Sequence, residues 1–122
     1  MEMKEKKTLP WLEESGVYDL EIAYVKRLDD FTGYSIGFTT VTEDEEDKRI
    51  FFQKFRLTDD YDDVAKWRYL YGCLFVATRT RPSADAEDLR GKRFTAMIEV
   101  KPVEGYDRPF CNIKRVRRCE TC

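Results

Sequence analysis

The stretch RIFFQKFRLTDDYDDVAKWRYLYGCLFVA, residues 49–77, switches its apolar spacing from two to between three and four, and that switch decides the fold. From Arg49 to Leu57 both faces of an extended segment are apolar or aromatic, with Ile50 and Phe52 on one side and Phe51, Phe55 and Leu57 on the other. Thr58 and the carboxylates Asp59, Asp60, Asp62 and Asp63 then supply capping oxygens and negative charge for the positive end of a helix. Val64, Trp67, Leu70, Tyr71 and Leu74 follow at helical spacing, which predicts one amphipathic helix over 62 to about 77 with Trp67 as a core plug. Gly72 weakens its centre by roughly 1 kcal/mol.

Upstream of this switch lie two more strands. Leu20, Ile22 and Tyr24 alternate with polar or small residues, and Val25 continues the apolar face after a slip in phase, so a bulge is expected near 23–25. Asp29 to Gly33 reads as a turn. Tyr34, Ile36, Phe38 and Thr40 share one face of the second strand, and Glu43 to Asp47 form an acidic hairpin tip before the third. Downstream, a polar connection over 79–91 is closed by Gly91. Phe94, Ala96, Ile98 and Val100 then mark a fourth strand, and Phe110 to Val116 a fifth. Three strands, a helix and two strands is the order of a mainly β, five-stranded Greek-key barrel with a helix between strands 3 and 4.

The boundaries expected are a flexible N-terminal tail over 1–15, the barrel over 16–118 and a C-terminal tail over 119–122. Leu9 to Leu12 is an apolar patch within the first tail, able to pack back on the barrel or to meet a partner. With 122 residues, 42% of them hydrophobic and 14% aromatic, the chain can build one core without staples although 38% of its residues are charged. No membrane-length apolar run or signal-peptide core is visible, so a cytoplasmic protein is expected. In that compartment Cys73, Cys111, Cys119 and Cys122 stay reduced. Cys73 and Cys111 read as small core residues. Cys119 and Cys122 have zinc-ligand spacing but lack two further ligands. Two C-termini could share a metal across a dimer, or the pair could be exposed thiols.

The net charge of -2 hides an asymmetry: residues 1–63 carry 17 acidic and 9 basic side chains, residues 64–122 carry 7 and 13. Folding can therefore lay a basic stripe on an acidic protein. No histidine is present, which removes the usual general base and the commonest metal ligand, and no phosphate-binding loop occurs. Catalysis and cofactors are not expected.

Gly16-Val17-Tyr18, the helix from Trp67 to Leu74, Asp88 to Phe94 leading into Ile98-Glu99-Val100, and Asn112 to Val116 together resemble phage-encoded OB-fold proteins. These act as single-stranded DNA-binding accessories of replication or recombination. The resemblance covers residues 16–117. It implies an OB fold and sequence-tolerant binding of single-stranded DNA, with replication or recombination proteins as partners and homo-oligomers common. Such proteins often end in an acidic tail, which Arg117 to Cys122 does not match.

Single-strand binding needs flat rings for bases and cations along the backbone path. Strands 2 and 3 offer Tyr34, Phe38 and Phe52 with Arg49, Lys54 and Arg56, and on an OB barrel ligands lie on that sheet. The shared phase of Phe52, Lys54 and Arg56 assigns them to the ligand face and Phe51, Phe55 and Leu57 to the core. At least one of Tyr34 and Phe38 is then core, with Tyr34 the better platform. Arg79, Arg81, Lys92, Arg93, Lys114 and Arg115 are further cations that could flank a groove. Ordinary solvated side chains explain any one of them equally well. RNA binding is not distinguished from DNA binding, and the rival reading is a barrel that docks other proteins without binding nucleic acid.

Overall fold

The computed structural model describes residues 9–29, 32–58, 64–81 and 85–118. Five strands form one antiparallel sheet: β1 (Gly16–Arg27), β2 (Gly33–Thr40), β3 (Ile50–Arg56), β4 (Arg93–Lys101) and β5 (Phe110–Arg117), in the order β3-β2-β1-β4-β5. The helix α1 (Val64–Ala77) lies between β3 and β4 in sequence and packs on β3, β4 and β5. This curled half-barrel with its inserted helix is an OB-like architecture. No described helix is long and apolar enough to cross a membrane.

The β1–β2 register slips between Ile22 and Tyr24. Ile22 pairs with Phe38 before the slip and Val25 with Ile36 after it, so both valine and isoleucine point inward while Tyr24 is turned to the outer face. On its β4 side Ile22 is tied to the preceding connection: its N–H donates to the Lys92 carbonyl and its carbonyl accepts from Gly91 N–H. Gly91 has φ +84, a left-handed conformation that costs glycine nothing. The connection before it is less polar in effect than its composition suggests. Ala86 and Leu89 of a short 3₁₀ turn, Ala86–Leu89, are buried against the core.

The core follows the phases expected for strand 3. Phe51 and Phe55 are 0% exposed, whereas Phe52 and Lys54 face solvent. Ile36 and Phe38 of β2, Phe94 and Ile98 of β4, Ile113 of β5 and Leu70 and Leu74 of α1 complete the interior. Trp67 plugs it edge-on against Phe55, ring centroids 5.5 Å apart. The acidic cap at Asp59 to Asp63 lies outside the described residues. Cys111 is buried as expected, but Cys73 is only half-buried, because it flanks the core stripe of α1 and lines the groove that Tyr69 and Val76 border.

The expected flexible tail ends too late. Residues 9–12 belong to the barrel: Trp11 makes a parallel bridge to Ile50, Ile50 N–H donates to Pro10 and Leu12 N–H donates to the Ile50 carbonyl. Leu12 is 2% exposed, and its carbonyl accepts from the Cys111 thiol on β5. The Trp11 indole N–H donates to Pro109 at 3.0 Å. The sheet leaves β3 and β5 as its two edges, and this segment spans the seam between them. An apolar Leu-Pro-Trp-Leu run is what such a position demands, since it must bury side chains and cover an unpaired strand edge at once.

Candidate nucleic-acid interface

The outer face of β1, β2 and β3 is built from cross-strand rows. Tyr24, Gly37 and Phe52 form one row, and Lys26, Ser35 and Lys54 form the next. The Phe52 ring stands edge to face between two others, 5.4 Å from Tyr24 at 68° and 5.4 Å from Trp11 at 72°. These rings close over Gly37, where a Cβ would come within 2.3 Å of the Tyr24 ring and 3.1 Å of Phe52. A glycine in the middle strand thus lets two aromatic rings lie down across it. Beyond Trp11 the surface continues onto the β4–β5 turn, where the Arg108 guanidinium sits 4.7 Å from the Trp11 ring centre.

Charge on this face is unequal. At one end Lys26 and Lys54 are exposed and form no ion pair among the described residues, and Arg56 donates to the Thr32 hydroxyl at 2.6 Å. At the other end the carboxylates are already engaged. Glu21 pairs with Arg93 at 3.1 Å and Asp19 accepts from Thr95 at 2.6 Å. The rings therefore border exposed lysines on one side and carboxylates held by Arg93 and Thr95 on the other, an arrangement able to hold flat, anionic ligands.

The structure brings together only part of the residue set expected from sequence. Phe52, Lys54 and Arg56 share the face. Phe38 is corrected to core: it is fully buried, stacked on Phe51 with centroids 5.2 Å apart, because it shares the inward phase of Ile36. Tyr34 is half-buried against the core, away from the face that Phe52 shares with Tyr24. It lies in that inward phase at the barrel end and stacks parallel on Tyr71 of α1, 5.8 Å and 3°, with Arg27 over its ring. Burial, chiefly, pushes the Tyr71 hydroxyl up to about 12, so Tyr71 packs here as a neutral ring. Arg49 folds back on the acidic hairpin, donating to the Glu46 and Lys48 carbonyls.

Among the other cations, Arg93 and Lys114 are paired with Glu21 and Glu99. Arg115 is exposed beside Met97 on the β4–β5 half of the sheet, Lys92 is exposed before β4, and Arg79 and Arg81 follow the helix. Cys119 and Cys122 lie outside the described residues, and among the described residues no group of metal-ligating side chains occurs.

Tyr24, Lys26, Trp11 and Arg108 lie on this surface without having been expected there from the sequence. For Tyr24 and Lys26 the signal was the phase slip at Val25, which reverses the faces of everything after it. For Trp11 it was the isolated Pro-Trp pair in a charged segment, whose side chain can only be placed once the seam is known. Comparison with protein-family models and with curated protein sequences gives no match to this chain.

Proposed function

We propose that the protein binds single-stranded DNA without chemistry on it and without strong sequence preference, on the outer face of β1–β2–β3. The observation that carries this reading is the row of Tyr24, Phe52 and Trp11 rings bordered by the exposed Lys26 and Lys54. Base stacking on such rings is sequence-tolerant because every base has a π-face, and lysines beside them neutralise the backbone. A duplex hides its base faces, so it engages only the cations. The role this adds to, by the resemblance of the chain to phage OB-fold proteins, is protection or presentation of exposed strands during replication or recombination.

The test is fluorescence anisotropy with a labelled oligo-thymidine of about 30 nucleotides, a duplex of equal length and an oligo-uridine, at low and moderate salt. Single strands should bind far more tightly than duplex. If Lys26, Lys54 and Arg56 each meet a phosphate, log affinity should fall with log salt at a slope of about -2 from these three alone. No single-strand binding at low salt removes the proposal, and oligo-uridine bound more tightly than oligo-thymidine turns it towards RNA.

A further inference from the structure

Helix α1 is apolar on two sides. Trp67, Leu70 and Leu74 serve the core, while Tyr69, Gly72, Cys73 and Val76 recur at i, i+3, i+4 and i+7 and form a second stripe. Tyr69 and Val76 are each 72% exposed, and the space above Gly72 is open to at least 4 Å around the position of a Cβ. A helix that covers one side of a barrel needs one apolar stripe, so packing does not account for the second. Together with Val116 at the end of β5 the stripe walls a groove of about 610 Å³, and the rim carries Arg68, Arg117 and Arg118. None of these residues belongs to the Tyr24, Phe52 and Trp11 surface.

Apolar walls select apolar side chains, and a guanidinium rim selects carboxylates. We propose that this groove docks an acidic peptide segment of a partner protein, its apolar side chains seated between Tyr69 and Val76 over Gly72 and its carboxylates on Arg117 and Arg118. A second copy of the chain packed through α1 about a two-fold axis would set one arginine rim against the other, like charge facing like. A nucleic-acid strand could use the arginines but would find one exposed ring, Tyr69, and leave Val76 and Val116 unmatched. The inference stands apart from the single-stranded DNA reading, since it uses a different surface and different residues.

The experiment uses the full chain and a fluorescein-labelled peptide of about twelve residues in which Asp and Glu alternate with Leu and Phe. One control replaces the acids with Lys, and another replaces Leu and Phe with Ser. The acidic apolar peptide should bind with a micromolar dissociation constant, and both controls at least about tenfold more weakly. Val76→Glu and Arg118→Glu, both at exposed positions, should each weaken it at least about tenfold while the thermal midpoint and affinity for oligo-thymidine stay unchanged. Failure of the acidic apolar peptide to bind at about millimolar concentration overturns the proposal. So does equal binding of the serine control, or unchanged affinity in Val76→Glu. Displacement of the peptide by oligo-thymidine would give the groove to nucleic acid, and a dimer in sedimentation that Val76→Glu abolishes would give it to a second copy.

Discussion

Phe51 and Phe52 are adjacent, chemically identical and on opposite faces of β3, so truncating each in turn separates folding from binding. Phe51 is 0% exposed and stacks on Phe38 at 5.2 Å. Its loss leaves a ring-sized cavity and costs about 3–5 kcal/mol, a large share of the roughly 5–15 kcal/mol that holds a domain folded. Phe52 is 38% exposed and meets Trp11 and Tyr24 edge to face. Its loss removes two ring contacts of about 0.5–1.5 kcal/mol each, so Phe52→Ala should cost the fold about 1–3 kcal/mol. At about 4–6 °C per kcal/mol, the thermal midpoint should fall by about 12–30 °C in Phe51→Ala and by about 4–18 °C in Phe52→Ala. Binding should run the other way. Phe52→Ala should lose about 1–3 kcal/mol of oligo-thymidine affinity, about 5- to 150-fold, whereas Phe51→Ala, assayed well below its midpoint, should bind nearly as the parent does. The two readouts are thermal circular dichroism and fluorescence anisotropy. Equal midpoints for the two variants would refute the inside–outside assignment, and parental affinity in a folded Phe52→Ala would remove its ring from the site.

Other consequences concern the frame. Leu12→Ala should destabilise by about 2–5 kcal/mol in denaturant titrations, a core-sized cost from a residue in the first tenth of the chain; a cost below about 0.5 kcal/mol would show that the seam does not depend on it. Arg79 has φ 58 and ends α1 with Arg79 N–H bonded to Val76 and Thr80 N–H to Phe75, a Schellman arrangement that suits glycine. Arg79→Gly should therefore raise stability by about 1 kcal/mol, measured by the denaturation midpoint, and a fall would contradict this. Gln53 has a buried Oε1 without a partner among the described residues. Gln53→Met should stabilise by about 1 kcal/mol on the same assay, and a loss of that size would mean that the oxygen is satisfied. Burial raises the Cys111 thiol from 9.0 to about 11, so above pH 9 the unfolded chain sheds a proton that the folded chain keeps. The thiol's contribution is intact below pH 9 and lost as pH rises towards 11, so stability should decline over that window, and Cys111→Ala should flatten the decline.

Strand 3 and the helix after it were legible because their apolar spacings are local. A period of two with Lys54 and Arg56 in phase with Phe52 leaves one consistent burial pattern, and the structure has it. The bulge at residues 23–25 was legible too, since Val25 breaks the alternation, yet the orientation of Tyr24 was not: once the phase slips, the tyrosine that continues the inner face in sequence stands on the outer face in space. The surroundings of Tyr34 were not legible, for the converse reason. Its phase is inward, and only the position of α1 reveals that a ring there has Tyr71 to stack against.

What the sequence by itself determined is the element order, the strand and helix phases, and hence a mainly β half-barrel with one inserted helix; each follows from periodicities that a few neighbouring residues enforce. What tertiary structure alone decided are the long-range pairings. Trp11 meets Phe52 and Pro109, Leu12 meets Ile50 and Cys111, and Gly37 lies beneath Tyr24 and Phe52. Those contacts join residues from 13 to 99 positions apart, where loop closure carries no local signature and only the pairing and curvature of the sheet bring the partners within reach.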